Sequence, residues 1–128
     1  MTPLRMVGLI VLVCVVSLPM AFRLESSTNS LEKLEGEGNE DALVDLYCLK
    51  ALEAESDGNY NRAIAHYNKA IDRDPNYAFA YIGRGDAHRA NGDLDRAIAD
   101  YDKAARVDPN NPIARERAEE ARKERASR

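Results

Sequence analysis

Two histidines, two cysteines and 22 acidic side chains are the groups through which this 128-residue chain could do acid–base, nucleophilic or metal chemistry. Their spacing argues against all three. His66, His88 and Cys48 show none of the short spacings that gather a zinc site, and no nucleophile stands with a base and an orienting third group. Cys14 and Cys48 are too few for a disulfide framework. Cys48 reads as a small apolar side chain, with pairing between chains as the alternative. Gly83-Arg84-Gly85 lies inside a helical pattern, so it is not a phosphate loop, which needs a strand-to-helix turn. The carboxylates are scattered at helix-surface positions, as on solvated faces. No enzyme activity, cofactor or metal is expected.

Charge narrows the partners. Residues 1–23 carry +2, residues 24–77 carry five basic against twelve acidic side chains, and residues 78–128 carry eleven against ten. An acidic first half lacks the basic footprint that neutralises phosphates, so a nucleic-acid partner is not expected. With 45% hydrophobic and 31% charged residues there is material for one small domain.

The elements that must position these side chains come from a duplication. Val44 to Tyr77 aligns without gaps on Ala78 to Asn111, an offset of 34 residues. Tyr47 repeats as Tyr81, Gly58 as Gly92, Arg62-Ala63-Ile64-Ala65 as Arg96-Ala97-Ile98-Ala99, Tyr67 as Tyr101, Lys69-Ala70 as Lys103-Ala104, and Asp74-Pro75-Asn76 as Asp108-Pro109-Asn110. Within each copy the apolar residues fall on one helical face, as with Ala63, Ile64, Tyr67, Ala70 and Ile71. Asp57-Gly58-Asn59 and Asn91-Gly92-Asp93 are turn clusters that end one helix and cap the next. Each copy is thus helix, tight turn, helix. One such pair cannot bury its own apolar face, so the pairs must stack.

These residues resemble the tetratricopeptide repeat (TPR) family, whose 34-residue unit reads W-x2-L-G-x2-Y, then A-x3-F, then P. Tyr47 and Tyr81 stand on the family's Trp, Ala51 and Gly85 on its Gly, Ala63 and Ala97 on its Ala, Tyr67 and Tyr101 on its aromatic, and Pro75 and Pro109 on its Pro. Gly58, Gly92, Ala70 and Ala104 recur with them. Lys50 and Arg84 replace the usual Leu, and Ala54 and His88 the usual Tyr, so His88 is read as a packing residue and Ala54 as under-filling the first repeat. The resemblance implies an all-α, right-handed α-solenoid: repeats over 44–77 and 78–111 and a capping helix over 112–127, within a domain spanning 42–128. It further implies a scaffold that binds a peptide or helical segment of a partner in a concave groove. The groove positions carried over are Cys48, Leu52, Glu55, Phe79, Ile82, Asp86 and Arg89. Where carboxylate-clamping relatives hold Lys and Asn, this chain does not, so an apolar or weakly basic amphipathic segment is expected.

Boundaries and leader complete the reading. Asp41 is expected to cap the first helix, which carries Leu43, Leu46, Tyr47, Leu49 and Leu52, and Asn76 to cap the third. Asn111-Pro112 opens the last helix, with Ile113, Ala114, Arg117, Ala118 and Ala121 inward. Arg5 precedes a charge-free run from Met6 to Phe22, which describes a cleaved secretory signal or an uncleaved membrane anchor over residues 1–23. Residues 24–41 read as a polar linker, with one helical turn around Leu31 and Leu34. Export to a bacterial periplasm, or anchorage in the inner membrane as an assembly factor, is the expectation, with self-association through the first repeat as a further one.

Overall fold

The computed structural model describes residues 39–128. The leader, the linker up to residue 38, Cys14 and the turn at Leu31 and Leu34 lie outside the described residues. Five helices follow one another without a strand among the described residues: α1 Glu40–Ser56, α2 Tyr60–Arg73, α3 Ala78–Ala90, α4 Leu94–Val107 and α5 Pro112–Ala126. Helices α1 and α2 form one hairpin, α3 and α4 the next, and α5 closes the array against α4. No described helix is long and apolar enough to cross a membrane.

The two hairpin turns follow from glycine. Gly58 and Gly92 have φ of +73° and +83°, a region open to Gly at little cost. At the first turn the Gly58 N–H donates to the Glu55 carbonyl and the Asn59 N–H to the Ala54 carbonyl. Gly92 and Asp93 repeat this on Arg89 and His88. This paired closure satisfies carbonyls that the helix end would otherwise orphan. Asn59 and Asp93 then serve the next helix, their side chains accepting from the Arg62 and Arg96 N–H groups.

Two expected caps are corrected. Asn39, not Asp41, precedes α1, and it makes no side-chain cap bond; Glu40 and Asp41 sit inside the first turn. There they favour the positive end of the helix dipole. Tyr77, not Asn76, precedes α3, because the Asn76 N–H is drawn back to Asp74 Oδ1 at 2.9 Å in a side-chain-closed turn. The Asn111 cap holds, accepting from the Ile113 N–H at 3.0 Å, with Pro112 at the helix start.

The small and aromatic repeat positions build the core. Ala51, Ala63, Ala70, Ala97 and Ala104 have no exposed surface, and Tyr67 and Tyr101 are fully enclosed between the helices. Tyr47 and Tyr81 are buried too, and the Tyr81 hydroxyl donates to the Pro75 carbonyl at 2.9 Å. That bond ties the inter-repeat turn to the helix after it. A methyl on Gly85 would stand 2.7 Å from the Tyr101 ring, so the glycine lets this ring lie close against α3. Gly83 has a similar role two residues earlier, its face pressed by the Tyr67 ring of the preceding hairpin.

Three expectations about facing change. Leu49 is exposed at 58%, leaving Leu43, Val44, Tyr47 and Cys48 as the large buried side chains of α1, while Leu52, 42% exposed, stands as a groove position should. Ile113 is exposed rather than inward, while Ala114, Ala118 and Ala121 pack as expected. Asp100 is not on a solvated face: it is buried and takes the Arg84 guanidinium on both oxygens, at 2.6 and 2.9 Å. Arg84 thus uses its stem where the pattern has Leu and its head to cross-link α3 and α4.

Candidate partner-binding groove

The leading helices α1 and α3 and the last helix α5 share one side of the array. Between them lies a cavity of about 230 Å³ lined by Leu52 and Glu55 of α1, Tyr67 of α2, Phe79, Ile82, Gly83 and Asp86 of α3, and Asn111, Ile113 and Arg117 near and on α5. Leu52, Phe79 and Ile113 supply exposed apolar surface, with Phe79 46% and Ile113 48% accessible. Ile82 is buried and contributes to the floor. Phe79 also tilts against Tyr77, whose hydroxyl donates to Asp45 at 2.9 Å, which steadies the start of α3 against α1.

Five of the seven expected groove residues, Leu52, Glu55, Phe79, Ile82 and Asp86, meet in this cavity. The other two do not. Cys48 is buried inside the first hairpin, where burial and the nearby Asp45 push its thiol up to about 11, making it a packing side chain rather than a reactive one. Arg89 is turned onto α5, donating to Glu124 at 2.9 Å and Glu120 at 3.1 Å. Its guanidinium clamps the closing helix and does not line the groove.

Five lining residues were not among the expected groove positions: Tyr67, Gly83, Asn111, Ile113 and Arg117. Ile113 and Arg117 stand 34 residues after Phe79 and Gly83, so the repeat register continues into α5, which acts as a third leading helix. That continuation was the available signal. Arg117 donates to Asp86 Oδ1 at 2.6 Å, and the same oxygen accepts the Tyr101 hydroxyl at 2.7 Å. This joint holds α5 to α3 and α4. Arg122 on Asp102 and Arg125 on Asp95 extend the attachment along α4.

The histidines sit apart from the groove. His88 is buried with Nε2 3.8 Å from Asp100, and burial lowers its pKa although Asp100 pulls the other way. His66 is half-buried rather than on an open outer face, its Nδ1 enclosed without a protein partner. Among the described residues no group of three His, Cys, Asp or Glu side chains is placed to hold a metal ion.

The family model for the tetratricopeptide repeat matches residues 48–112, half of the chain. The chain belongs to the tetratricopeptide repeat family. Solved TPR domains share its fold at low identity. The first TPR domain of human RPAP3 superposes with a TM-score of 0.59 at 23% identity, over 77% of this chain and 89% of that one. The first TPR of Spaghetti (RPAP3), solved with the HSP90 peptide SRMEEVD, gives 0.58 at 22% over the same shares. The TPR domain of Arabidopsis OM64 gives 0.59 at 20% identity, over 78% of this chain and 94% of that one. No curated protein matches the sequence.

Proposed function

We propose that this TPR chain is a protein-interaction module that holds a peptide or amphipathic helical segment of a partner in the groove between α1, α3 and α5. One observation carries this. Of the four large apolar side chains exposed among the described residues, three, Leu52, Phe79 and Ile113, converge on a single cavity. Apolar side chains at three separate elements facing one concavity suit the anchors of a bound segment. The RPAP3 domain solved with an HSP90 peptide supports the use of this fold for peptide capture. That peptide carries two glutamates and an aspartate, whereas this groove presents Glu55 and Asp86, and its one lining cation, Arg117, is occupied by Asp86. The partner segment is accordingly apolar, amphipathic or basic, not acidic.

The test is a triple change, Leu52→Ser, Phe79→Ser and Ile113→Ser, scored on capture of selected peptides and on melting temperature. All three side chains are exposed, so folding should survive and capture should fail. Capture unchanged in the folded variant would refute the groove. Ile82→Ser is unsuitable here, because a buried side chain would test the core instead.

Where the module works rests on residues 6–22. We propose export by cleavage of this leader, or retention at a membrane through it. N-terminal sequencing of the native protein separates the two: a start at or before Met6 means an anchor, and a start beyond Ser17 means a cleaved signal.

A further inference from the structure

The walls of the groove are apolar, but its floor is not. Glu55 is half-buried there, and its Oε1 is enclosed with no protein partner at good hydrogen-bond geometry. The hydroxyl of Tyr67, a side chain with no exposed surface, lies beside Glu55 in the same cavity, without good hydrogen-bond geometry to it or to another group. Burial raises the pKa of the Glu55 carboxyl, and the adjoining Tyr67 hydroxyl only partly offsets it. The second repeat differs. There Tyr101 donates to Asp86, and Asp86 also takes Arg117. Three charged groups line the cavity; Arg117 is paired with Asp86, whose repulsion of Glu55 opposes the pull of Arg117, so Glu55 has no ion pair of its own.

An enclosed carboxylate without a counter-charge is unfavourable, and a ligand that supplies the charge relieves the cost. We propose that the groove selects partner segments that set a lysine or arginine side chain against Glu55, with apolar neighbours on Leu52, Phe79 and Ile113. This specificity rests on the groove function proposed above. A lysine suits the site chemically. Its ammonium has three donors, enough for the Glu55 oxygens and the Tyr67 hydroxyl oxygen, and its methylene stem can lie along the Leu52 side chain. An acidic segment would add a second unpaired charge beside Glu55.

The test uses the full-length chain and a random twelve-residue displayed peptide library. Wild type, Glu55→Gln and the Leu52/Phe79/Ile113 triple serine variant are selected in parallel, with folding of each checked by circular dichroism. Wild type should enrich peptides carrying a Lys or Arg between apolar residues. A synthetic peptide of this class should bind about tenfold or more tighter than its norleucine analogue, as expected for a charge-assisted hydrogen bond. Glu55→Gln should abolish that preference, so that the basic peptide and its norleucine analogue no longer differ in affinity. Enriched peptides that need Leu52, Phe79 and Ile113 but carry no basic residue, or that bind equally with norleucine, overturn the selectivity and leave the groove function standing. Selection that yields no peptide dependent on those three side chains overturns both.

Discussion

The Tyr101 hydroxyl donates to Asp86 Oδ1 at 2.7 Å, while Tyr67, one repeat earlier, has Leu52 at the position equivalent to Asp86 and lies beside Glu55 without a well-formed hydrogen bond to it. The two tyrosines are alike in burial and unlike in bonding. Tyr101→Phe should therefore destabilise by about 0.5–1.5 kcal/mol, the net worth of a hydrogen bond. Tyr67→Phe should change stability by less, since it removes a hydroxyl that lacks a well-formed bond. Urea midpoints of the two variants decide this, and equal losses would show that Tyr67 is bonded after all.

Asp86→Ala removes the acceptor shared by Tyr101 and Arg117. It leaves one buried hydroxyl and one guanidinium unmatched and weakens one of the attachments of α5 to the second hairpin. We expect a loss of about 1–3 kcal/mol, the penalty of an unsatisfied buried polar group. The amide protons of α5 should lose hydrogen-exchange protection before those of α2 do. Uniform loss along the chain would contradict the joint.

Glycine at two neighbouring helix positions should respond differently to alanine. A methyl at Gly83 would run into the Tyr67 ring, which is enclosed on all sides. A methyl at Gly85 meets the Tyr101 ring edge at 2.7 Å, but the first repeat already accommodates Ala51 against Tyr67 at the equivalent position. Gly83→Ala should cost about 1–3 kcal/mol by overpacking. The gain in helix propensity, up to about 1 kcal/mol, should nearly cancel the strain in Gly85→Ala. Ala97→Leu, at a fully buried position between Leu94, Ile98 and Ala118, belongs with Gly83→Ala in magnitude. An unchanged denaturant midpoint in Ala97→Leu would mean that this position does not face its partner helices.

Acid should weaken the fold through its histidines. Burial lowers the pKa of His88, with Asp100 and Asp93 opposing and Arg84 and Arg96 assisting. Burial, then Arg62 and Lys69, lowers that of His66. The unfolded chain consequently binds more protons once the pH falls below the ordinary histidine value of 6.5, and stability that is full above 6.5 declines beneath it. Glu55 has the opposite sign, its raised pKa adding stability as pH falls toward 4.5. The histidine effect is thus read between pH 7.5 and about 5.5. Wild type should lose more stability over that range than His66→Gln/His88→Gln, and equal losses would remove the histidines from the account.

The sequence alone determined the helices and their order, because the evidence for them is local and occurs twice. Gly58 and Gly92 mark turns that need positive φ, Asn111-Pro112 starts a helix by its own chemistry, and the 34-residue offset sets both hairpins in one register. It also placed Leu52, Phe79 and Asp86 on one side, since the spacing of leading-helix positions is a property of the repeat. Only the tertiary structure decided how the polar side chains are used. Asp100 and Arg89 sit on helix faces that look solvated until a neighbouring helix crosses them, whereupon one becomes a buried partner of Arg84 and the other a clamp on α5. Cys48 and Ile113 exchanged their expected surroundings for the same reason. Whether a helical position is covered depends on the angle and height of its neighbour, which are set by Tyr67 and Tyr101 packing on Gly83 and Gly85. The unpaired state of Glu55 is the last consequence of that packing: its periodic equivalent Arg89 turns away to α5, and Arg117 reaches Asp86 instead.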